Sequence, residues 1–334
     1  MVRIDRGRTF LIALPFLVVF VFLNLAFGSV YIPVLDILKS LVGLKISNTQ
    51  HIIIMQLRLP RILLGLGVGA ALASTGNAFQ AMMKNPLADP YILGVSSGAA
   101  FGAILINVLA QLYNPNLIFY TWLFAFLFGI LAASITYFVA RKGGKLPVTE
   151  LILSGVMVNL LFSAGVTFLI VYGWRNVQMT SFWLLGSLAG SGWRSILLVG
   201  IVAGVVSTFY TLIGKYLNAM TAGEEEAIHV GVKVETLKLV VFIVGTFATA
   251  VAVSASGIIG FVGLIMPHMA RRLFGTDHRI SMPASAVLGG IFLVACDSIA
   301  RTAFSPAEMP IGTITALVGS PVFMYILRRR RKSV

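Results

Sequence analysis

The sequence predicts an all-α polytopic membrane protein of about ten transmembrane helices, and two observations support this class. Hydrophobic residues make up 58% of the 334 residues and charged residues only 11%, whereas soluble domains carry roughly a quarter charged residues. The apolar residues also form runs long enough to cross a bilayer, which needs roughly 20 residues per helix. The composition therefore excludes an ordinary soluble enzyme, a disordered chain and a disulfide-rich scaffold.

The apolar runs can be assigned to spans in order along the chain. The first run, 10–27, is not followed by a small-residue cleavage site, so we interpret it as a retained span rather than a signal peptide. Residues 90–140 contain no charged side chain and are too long for one helix, so we expect the turn at 113–116 to divide them. The stretch 239–270 is expected to break at Ser256-Gly257. The remaining spans are 62–83, 151–171, 196–214, 282–295 and 311–327.

The basic residues predict how these spans are oriented. If the N-terminus is placed in the cytoplasm, only seven of the 25 Lys and Arg residues fall on outer segments. Cytoplasmic segments carry the excess of Lys and Arg, so we expect a multi-pass protein of the cell (inner or cytoplasmic) membrane with both termini in the cytoplasm. The same bias accounts for the net charge of +14, and we predict no nucleic-acid partner. The seven outer residues are Lys39, Lys45, Arg58, Arg61, Arg175, Arg194 and Arg301.

The number of spans suggests internal symmetry, and the shortage of charged residues within them indicates how transport is driven. Two halves of five spans would have opposite orientations, which is the inverted-repeat plan of many transporters. Intramembrane carboxylates that could relay protons or bind sodium are nearly absent, and Asp297 is the one candidate. A transporter of this composition is expected to take its energy from a partner.

The sequence lacks the motifs of several catalytic and metal-binding classes. It has no G-x-x-x-x-G-K-[ST] loop with which to bind the phosphates of ATP. Cys296 is the only cysteine and the four histidines are scattered, so no zinc, haem or iron–sulfur site is expected. We therefore predict that this chain binds no metal and no cofactor.

One motif favours an enzyme instead. Residues 94–98 match the G-x-S-x-G pattern of serine hydrolases, and Ser96 with His268 would form an intramembrane hydrolase. That motif requires a strand–turn–helix context, which a helical span does not provide. Close helix packing by small residues, as at Gly65-x-x-x-Gly69, explains the same stretch. A gradient-driven transporter that works alone is the second alternative.

Four groups of short motifs follow one another from the second span to the last. They are RLPR at 58–61 with NPLADP at 85–90; GEEEA at 223–227; GIIGFVGLIMPH at 257–268; and EMPIG at 308–312 with GSP at 319–321. Together they closely resemble the FecCD-type permease subunits of ATP-binding-cassette importers for ferric siderophores, haem and cobalamin.

The resemblance implies a single transmembrane permease domain, 1–334, and a set of partners. These are a second permease copy in a homodimer, two ATPase subunits that bind ATP and Mg²⁺, and an extracytoplasmic substrate-binding protein.

The resemblance also implies that the cytoplasmic segment 215–238 couples the permease to the ATPase. A helix that begins near Thr221 would place the acidic residues in its first turns, which suits the helix dipole. A solvated acidic loop is the alternative. The implied coupling residues are Gly223, Glu224, Glu225, Glu226, Ala227 and Gly231.

Further sites are implied on the outer surface and along the pathway. Arg58, Arg61 and Arg301 match positions that meet acidic residues of the docked binding protein, since the arginine fork pairs well with carboxylates. The alternative is that these side chains extend toward lipid headgroups.

The resemblance also implies a cytoplasmic gate at Val148 and Thr149. The pathway candidates, which are equally compatible with helix packing, are Asn159, Ser163 and Thr167.

Overall fold

The structure, a computed structural model, describes residues 6–28, 30–44, 46–172, 183–190, 192–303 and 307–330. Over these residues the chain is helical apart from connecting turns and a β-bridge between Lys142 and Lys145. The helices are α1 (Arg6–Ala26), α2 (Val34–Leu41), α3 (Asn48–Ile52), α4 (Leu59–Met82), α5 (Val95–Leu112), α6 (Thr121–Ala140), α7 (Val148–Tyr172), α8 (Trp193–Leu212), α9 (Gly214–Ala222), α10 (Glu224–His229), α11 (Val234–Ser256), α12 (Val262–Phe274), α13 (His278–Thr302) and α14 (Ile311–Arg330). A π-helical turn, Ile53–Arg58, joins α3 to α4, and 3₁₀ turns span Pro90–Leu93 and Pro115–Tyr120.

These helices confirm the predicted all-α polytopic fold. Seven helical segments of the described chain are long and apolar enough to cross a membrane. Two shorter apolar helices, Leu17–Ala26 and Ile311–Tyr325, coincide with the first and last predicted spans, and α12 contains the second half of the run 239–270. The inverted relation between two five-helix halves stays a prediction. The seven segments are Asn48–Met82, Val95–Leu112, Pro115–Ala140, Val148–Val171, Trp193–Leu212, Val234–Ser256 and His278–Thr302.

Both helix breaks that the sequence predicted are present. The side chain of Asn114 accepts a hydrogen bond from the backbone N of Asn116 at 3.0 Å, and this turn separates α5 from α6. α11 ends at Ser256 because Gly257 adopts φ +68°, a left-handed conformation that favours glycine. A Cβ at Gly257 would also lie 2.3 Å from the carbonyl oxygen of Trp183, so no larger residue fits there.

Helix α4 forms the centre of the bundle, and glycines allow its neighbours to approach closely. A Cβ at Gly69 would lie 2.2 Å from the carbonyl oxygen of Gly289 in α13. A Cβ at Gly76 would lie 1.9 Å from the carbonyl oxygen of Gly263 in α12. In lipid, helix association depends on van der Waals packing of this kind, because the surrounding lipid tails are as apolar as the side chains. The stretch Gly65-x-x-x-Gly69 therefore packs as the sequence suggested.

Helix α13 defines two ends of the molecule. Asp277 is its N-cap residue, and Asp297 lies near its C-terminus. At 1.5 Å per residue the two positions are roughly 30 Å apart along the helix, about the thickness of the bilayer core. We call them the Asp277 end and the Asp297 end.

Candidate functional site

Four charged side chains form a cluster at the Asp297 end. The Asp297 carboxylate, 1% exposed, accepts a hydrogen bond from Arg61 Nε at 2.8 Å and lies 3.0 Å from Arg301 Nε. Arg61 also donates to Glu308 at 2.9 Å, and the Glu308 side chain is 50% exposed. The cluster therefore joins α4, α13 and the segment before α14, and Glu308 forms its accessible edge. Two of the three arginines predicted to dock the binding protein lie in this cluster.

The third predicted docking arginine, Arg58, is turned inward. Its Nη1 donates to the carbonyl oxygens of Leu25 at 2.6 Å and Ala26 at 3.2 Å, and its Nη2 donates to the carbonyl oxygen of Val30. The last carbonyls of a helix lack partners within the helix, so Arg58 caps the end of α1. The residue is only 4% exposed. Of the charged side chains at the Asp297 end, Glu308 is therefore the accessible one, because the side chains of Arg61 and Arg301 are only 12% and 9% exposed.

The three predicted pathway residues follow one another along α7 but differ in exposure. Asn159 accepts a hydrogen bond from Ser97 Oγ at 2.7 Å and donates to the carbonyl oxygen of Tyr91 at 3.3 Å, so it holds α7 against α5 and the turn before it. Ser163 and Thr167 are exposed. Their neighbours on the uncovered part of the helix include large apolar side chains, such as Leu160, which is 67% exposed. The packing alternative therefore describes Asn159, whereas Ser163 and Thr167 remain available to a pathway.

The break between α11 and α12 forms the wall of an apolar pocket of about 600 Å³. Phe261 adopts φ +70°, and such a conformation in a bulky residue indicates local strain held by its surroundings. It packs on Gly319 of α14, where an added Cβ would lie 2.7 Å from the Phe261 Cβ. The other lining residues include Leu184, Leu185, Ile258, Gly312 and Ser320.

Tyr91, which the sequence analysis did not select, fixes this break. Its hydroxyl donates to the carbonyl oxygen of Ile259 at 3.0 Å and accepts from the backbone N of Ile259 at 3.2 Å. A lone tyrosine in an apolar run carries no local signal of such a contact.

We expect Tyr91→Phe to reduce the free energy of unfolding by about 1–3 kcal/mol, because it leaves both backbone groups of Ile259 without that partner. Thermal unfolding of the purified protein measures the loss, and Tyr113→Phe is the control, since Tyr113 is 79% exposed. Equal melting temperatures for the two variants would contradict this role.

The predicted coupling segment folds as two short helices rather than one that begins near Thr221. α9 ends at Ala222, and α10 begins at Glu224 after the extended backbone of Gly223. The Glu226 carboxylate folds back over Gly223, so that an added Cβ there would overlap it. The predicted helix start was therefore wrong by a few residues. The acidic residues nevertheless occupy the first turn of α10, where the helix dipole favours them.

The three glutamates of α10 differ in environment. Glu225 and Glu226 are exposed, whereas Glu224 is half-buried and its carboxylate lies 2.8 Å from Lys238 Nζ. Ala227 of α10 is fully buried, and Gly231 turns the chain after the helix with φ +83°. The outward pair is thus accessible to a partner, and the inward glutamate is tied to α11.

A second contact ties the coupling segment to α13. Asn218 of α9 donates to Asp277 Oδ1 at 2.9 Å and accepts from the backbone N of His278 at 2.8 Å. Hydrogen bonds from Arg279 hold the pKa of the Asp277 carboxyl well below its usual range. A movement of α9 at the Asp277 end would therefore displace the start of α13 through these hydrogen bonds.

The predicted gate residues begin α7 at the Asp277 end. Val148 is the first residue of the helix and is half-buried, and Thr149 is exposed. The loop that precedes them contacts α11 through Leu146, whose backbone N donates to Glu235 at 2.6 Å. Glu235 and Lys238 were not selected as site residues. Their i,i+3 spacing at the start of an apolar run is the signal that could have identified them.

The G-x-S-x-G stretch occupies a 3₁₀-to-α junction, not the strand–turn–helix that a serine nucleophile requires. Gly94 adopts φ +88° between the turn Pro90–Leu93 and α5. Ser97 Oγ donates to the carbonyl oxygen of Gly94 and to Asn159. This stretch therefore serves helix packing.

The described residues form a bundle of membrane-spanning helices, which is the fold of a multi-pass membrane protein. The FecCD transport family matches residues 16–329, and the chain belongs to this family. The serine hydrolase and the gradient-driven transporter are not supported.

Relatives of the chain carry transport names. It is 42% identical over 289 residues to the cobalamin import system permease protein BtuC of Halobacterium salinarum, which covers 85% of this chain and 76% of that protein. It is 35% identical over 310 residues to the hemin transport system permease protein HmuU of Yersinia pestis, covering 92% and 93%. It is 34% identical over 330 residues to the Fe(3+)-citrate import system permease protein YfmD of Bacillus subtilis, covering 98% and 96%.

A solved structure has the same fold. A metal-chelate type ABC transporter in an inward-facing conformation matches with a TM-score of 0.84 and 32% sequence identity. The match covers 97% of this chain and 99% of that one. The chain is therefore a multi-pass membrane protein with the fold of an ABC importer permease.

Proposed function

We propose that two copies of this chain form the translocation pathway of an importer for a ferric siderophore, haem or cobalamin. The names of the relatives support this substrate class. Two ATP-binding-cassette ATPase subunits bind ATP and Mg²⁺, and the permease chain binds no cofactor. A substrate-binding protein delivers the substrate on the outer side.

The uncovered face of α7 carries the proposal of a homodimer with a central pathway. Leu160 is 67% exposed. Ser163 and Thr167, one and two turns further along α7, are also exposed and carry hydroxyl groups. α14 likewise leaves Leu317 64% exposed beside the apolar pocket. A second copy would cover the apolar residues and leave the hydroxyls to line a wide, weakly binding path. Weak contacts suit transport, because a tight site would slow release.

The charge distribution supports an orientation for this assembly. We place the Asp277 end, with α10 and the gate residues Val148 and Thr149, in the cytoplasm, together with both termini. The Asp297 end then faces outward, and Glu308, with the less exposed Arg61 and Arg301 behind it, meets the binding protein. Charge pairs of this kind steer association as well as strengthening it.

Native mass spectrometry on the tagged chain, purified gently from its host membranes, tests the assembly. We expect two permease copies with two ATPase subunits. In proteoliposomes we expect ATP-dependent uptake of at least one of three radiolabelled probes: cyanocobalamin, haemin or ferric citrate. A folded chain that never carries an ATPase, or that takes up a probe without ATP, would overturn the proposal.

The exposed glutamates of α10 allow a test of the ATPase contact. We expect the double variant Glu225→Lys/Glu226→Lys to insert normally but to lose the ATPase subunits or ATP-driven uptake, because both reversed charges face the partner. Asp36→Lys, on α2, is the control and should retain the ATPase. Unchanged ATP-driven uptake in the double variant would remove the coupling role from α10.

A further inference from the structure

Three segments of the chain meet at one buried amine. Lys238 of α11 is only 3% exposed. Its Nζ donates to Glu224 Oε2 at 2.8 Å, to Glu235 Oε1 at 3.2 Å and to the carbonyl oxygen of Leu146 at 3.3 Å. The amine therefore contacts α10, α11 and the loop 141–147 at the same time.

Glu235 completes the connection from the other side. Its second oxygen, Oε2, accepts from the backbone N of Leu146 at 2.6 Å. Both backbone groups of Leu146 are thus held by the Lys238–Glu235 pair. Leu146 lies two residues before Val148, where α7 begins. A shift of the pair would therefore move the start of α7.

Breaking the ion pairs of Lys238 with Glu224 or Glu235 is expected to cost free energy, because the ammonium group is buried. A buried ammonium is unfavourable unless it is paired, and removing one partner of a buried pair costs more than removing an exposed one. Glu224 is 36% exposed and Glu235 37% exposed, so each reaches from the surface to the same buried amine. Lys233, at the base of the same helix, is exposed and serves as a comparison.

We propose that Lys238 is a positioning residue that makes α10 and the start of α7 move together. The proposal rests on the proposed function, in which an ATPase moves α10 and α7 gates the pathway. ATPase closure displaces α10, Glu224 draws Lys238 with it, and Lys238 with Glu235 carries the displacement to Leu146. The opening at Val148 and Thr149 then follows the nucleotide state.

A spin label at Thr149 in the assembled importer tests this directly. In the Cys296→Ala background, Thr149→Cys places one label on each permease copy, and the distance between the two labels reports the gate. We expect ATP with vanadate to shift this distance in the parent protein. In Lys238→Met the shift should disappear while ATP hydrolysis continues, and uptake per ATP hydrolysed should fall at least about fivefold.

Matched variants separate this role from a structural one. Lys238→Arg keeps the charge and should restore most of the shift, and Lys233→Met should behave as the parent protein. If Lys238→Met does not fold, Glu224→Ala removes the same contact from its half-exposed side and should also abolish the shift. A full ATP-driven shift in Glu224→Ala or in Lys238→Met would overturn the proposal. No shift and no uptake in the parent protein would instead overturn the proposed function.

Discussion

Asparagine in place of Asp297 is expected to reduce the free energy of unfolding by about 3–5 kcal/mol. The carboxylate is 1% exposed and lies between the guanidinium groups of Arg61 and Arg301, at 2.8 and 3.0 Å. Without its negative charge, two largely buried cations face each other, and only Glu308 remains to offset them. Breaking a buried pair from one side leaves an uncompensated charge, and this makes the effect large.

Thermal unfolding in detergent or nanodiscs measures this effect. Glu308→Gln is the control, and it should cost no more than about 1 kcal/mol, because the Glu308 side chain is 50% exposed. The double variant Asp297→Asn/Arg301→Met should recover part of the loss, since it removes one of the two unpaired cations. A melting temperature of Asp297→Asn equal to that of Glu308→Gln would show that the cluster is not buried as described.

Alanine in place of Gly76 is expected to cost more than about 3 kcal/mol and to separate α4 from α12. The added Cβ would lie 1.9 Å from the carbonyl oxygen of Gly263 and 2.7 Å from its Cα. Both atoms belong to the backbone, so no side-chain rotation can relieve the overlap. One of the two helices has to move, and the packing of α4 at the centre of the bundle is lost with it.

Gly204→Ala in α8 is the matched control for Gly76→Ala. Nothing lies within 4 Å of a Cβ at Gly204, so the substitution should leave stability unchanged or raise it slightly through the better helix propensity of alanine. The yield of folded protein and the melting temperature compare the two variants. If Gly76→Ala folds as well as Gly204→Ala, the glycine contact between α4 and α12 does not determine the packing.

The order of the spans and their breaks could be predicted from the sequence because each is encoded locally. A run of apolar residues long enough for the bilayer specifies a helix wherever the neighbouring helices lie. Asn114 and Gly257 mark turns by their own conformational preferences. The acidic group at Glu224–Glu226 could likewise be recognised as the start of a short helix, although not to the residue.

The roles of the charged and polar side chains could not be predicted in the same way. Arg58 caps α1 and Asn159 packs inward, and the sequence around them contains no pattern that distinguishes these roles from exposure. For Lys238, the i,i+3 spacing with Glu235 indicates a pair but not that the pair joins α10 to the loop 141–147. Arg61 and Asp297 are 236 residues apart in the chain, yet their side chains are 2.8 Å apart.

The sequence by itself determined that this protein is a helical permease, the order of its spans and the turns that divide the two longest apolar runs. Only the tertiary structure decided which partners each arginine has, which face of α7 is uncovered and which lysine connects α10 to the start of α7. The physical reason is that transfer into a bilayer depends on the apolar content of one continuous segment. The energy of a buried charge or a polar side chain instead depends on the groups that other segments bring within about 3 Å of it.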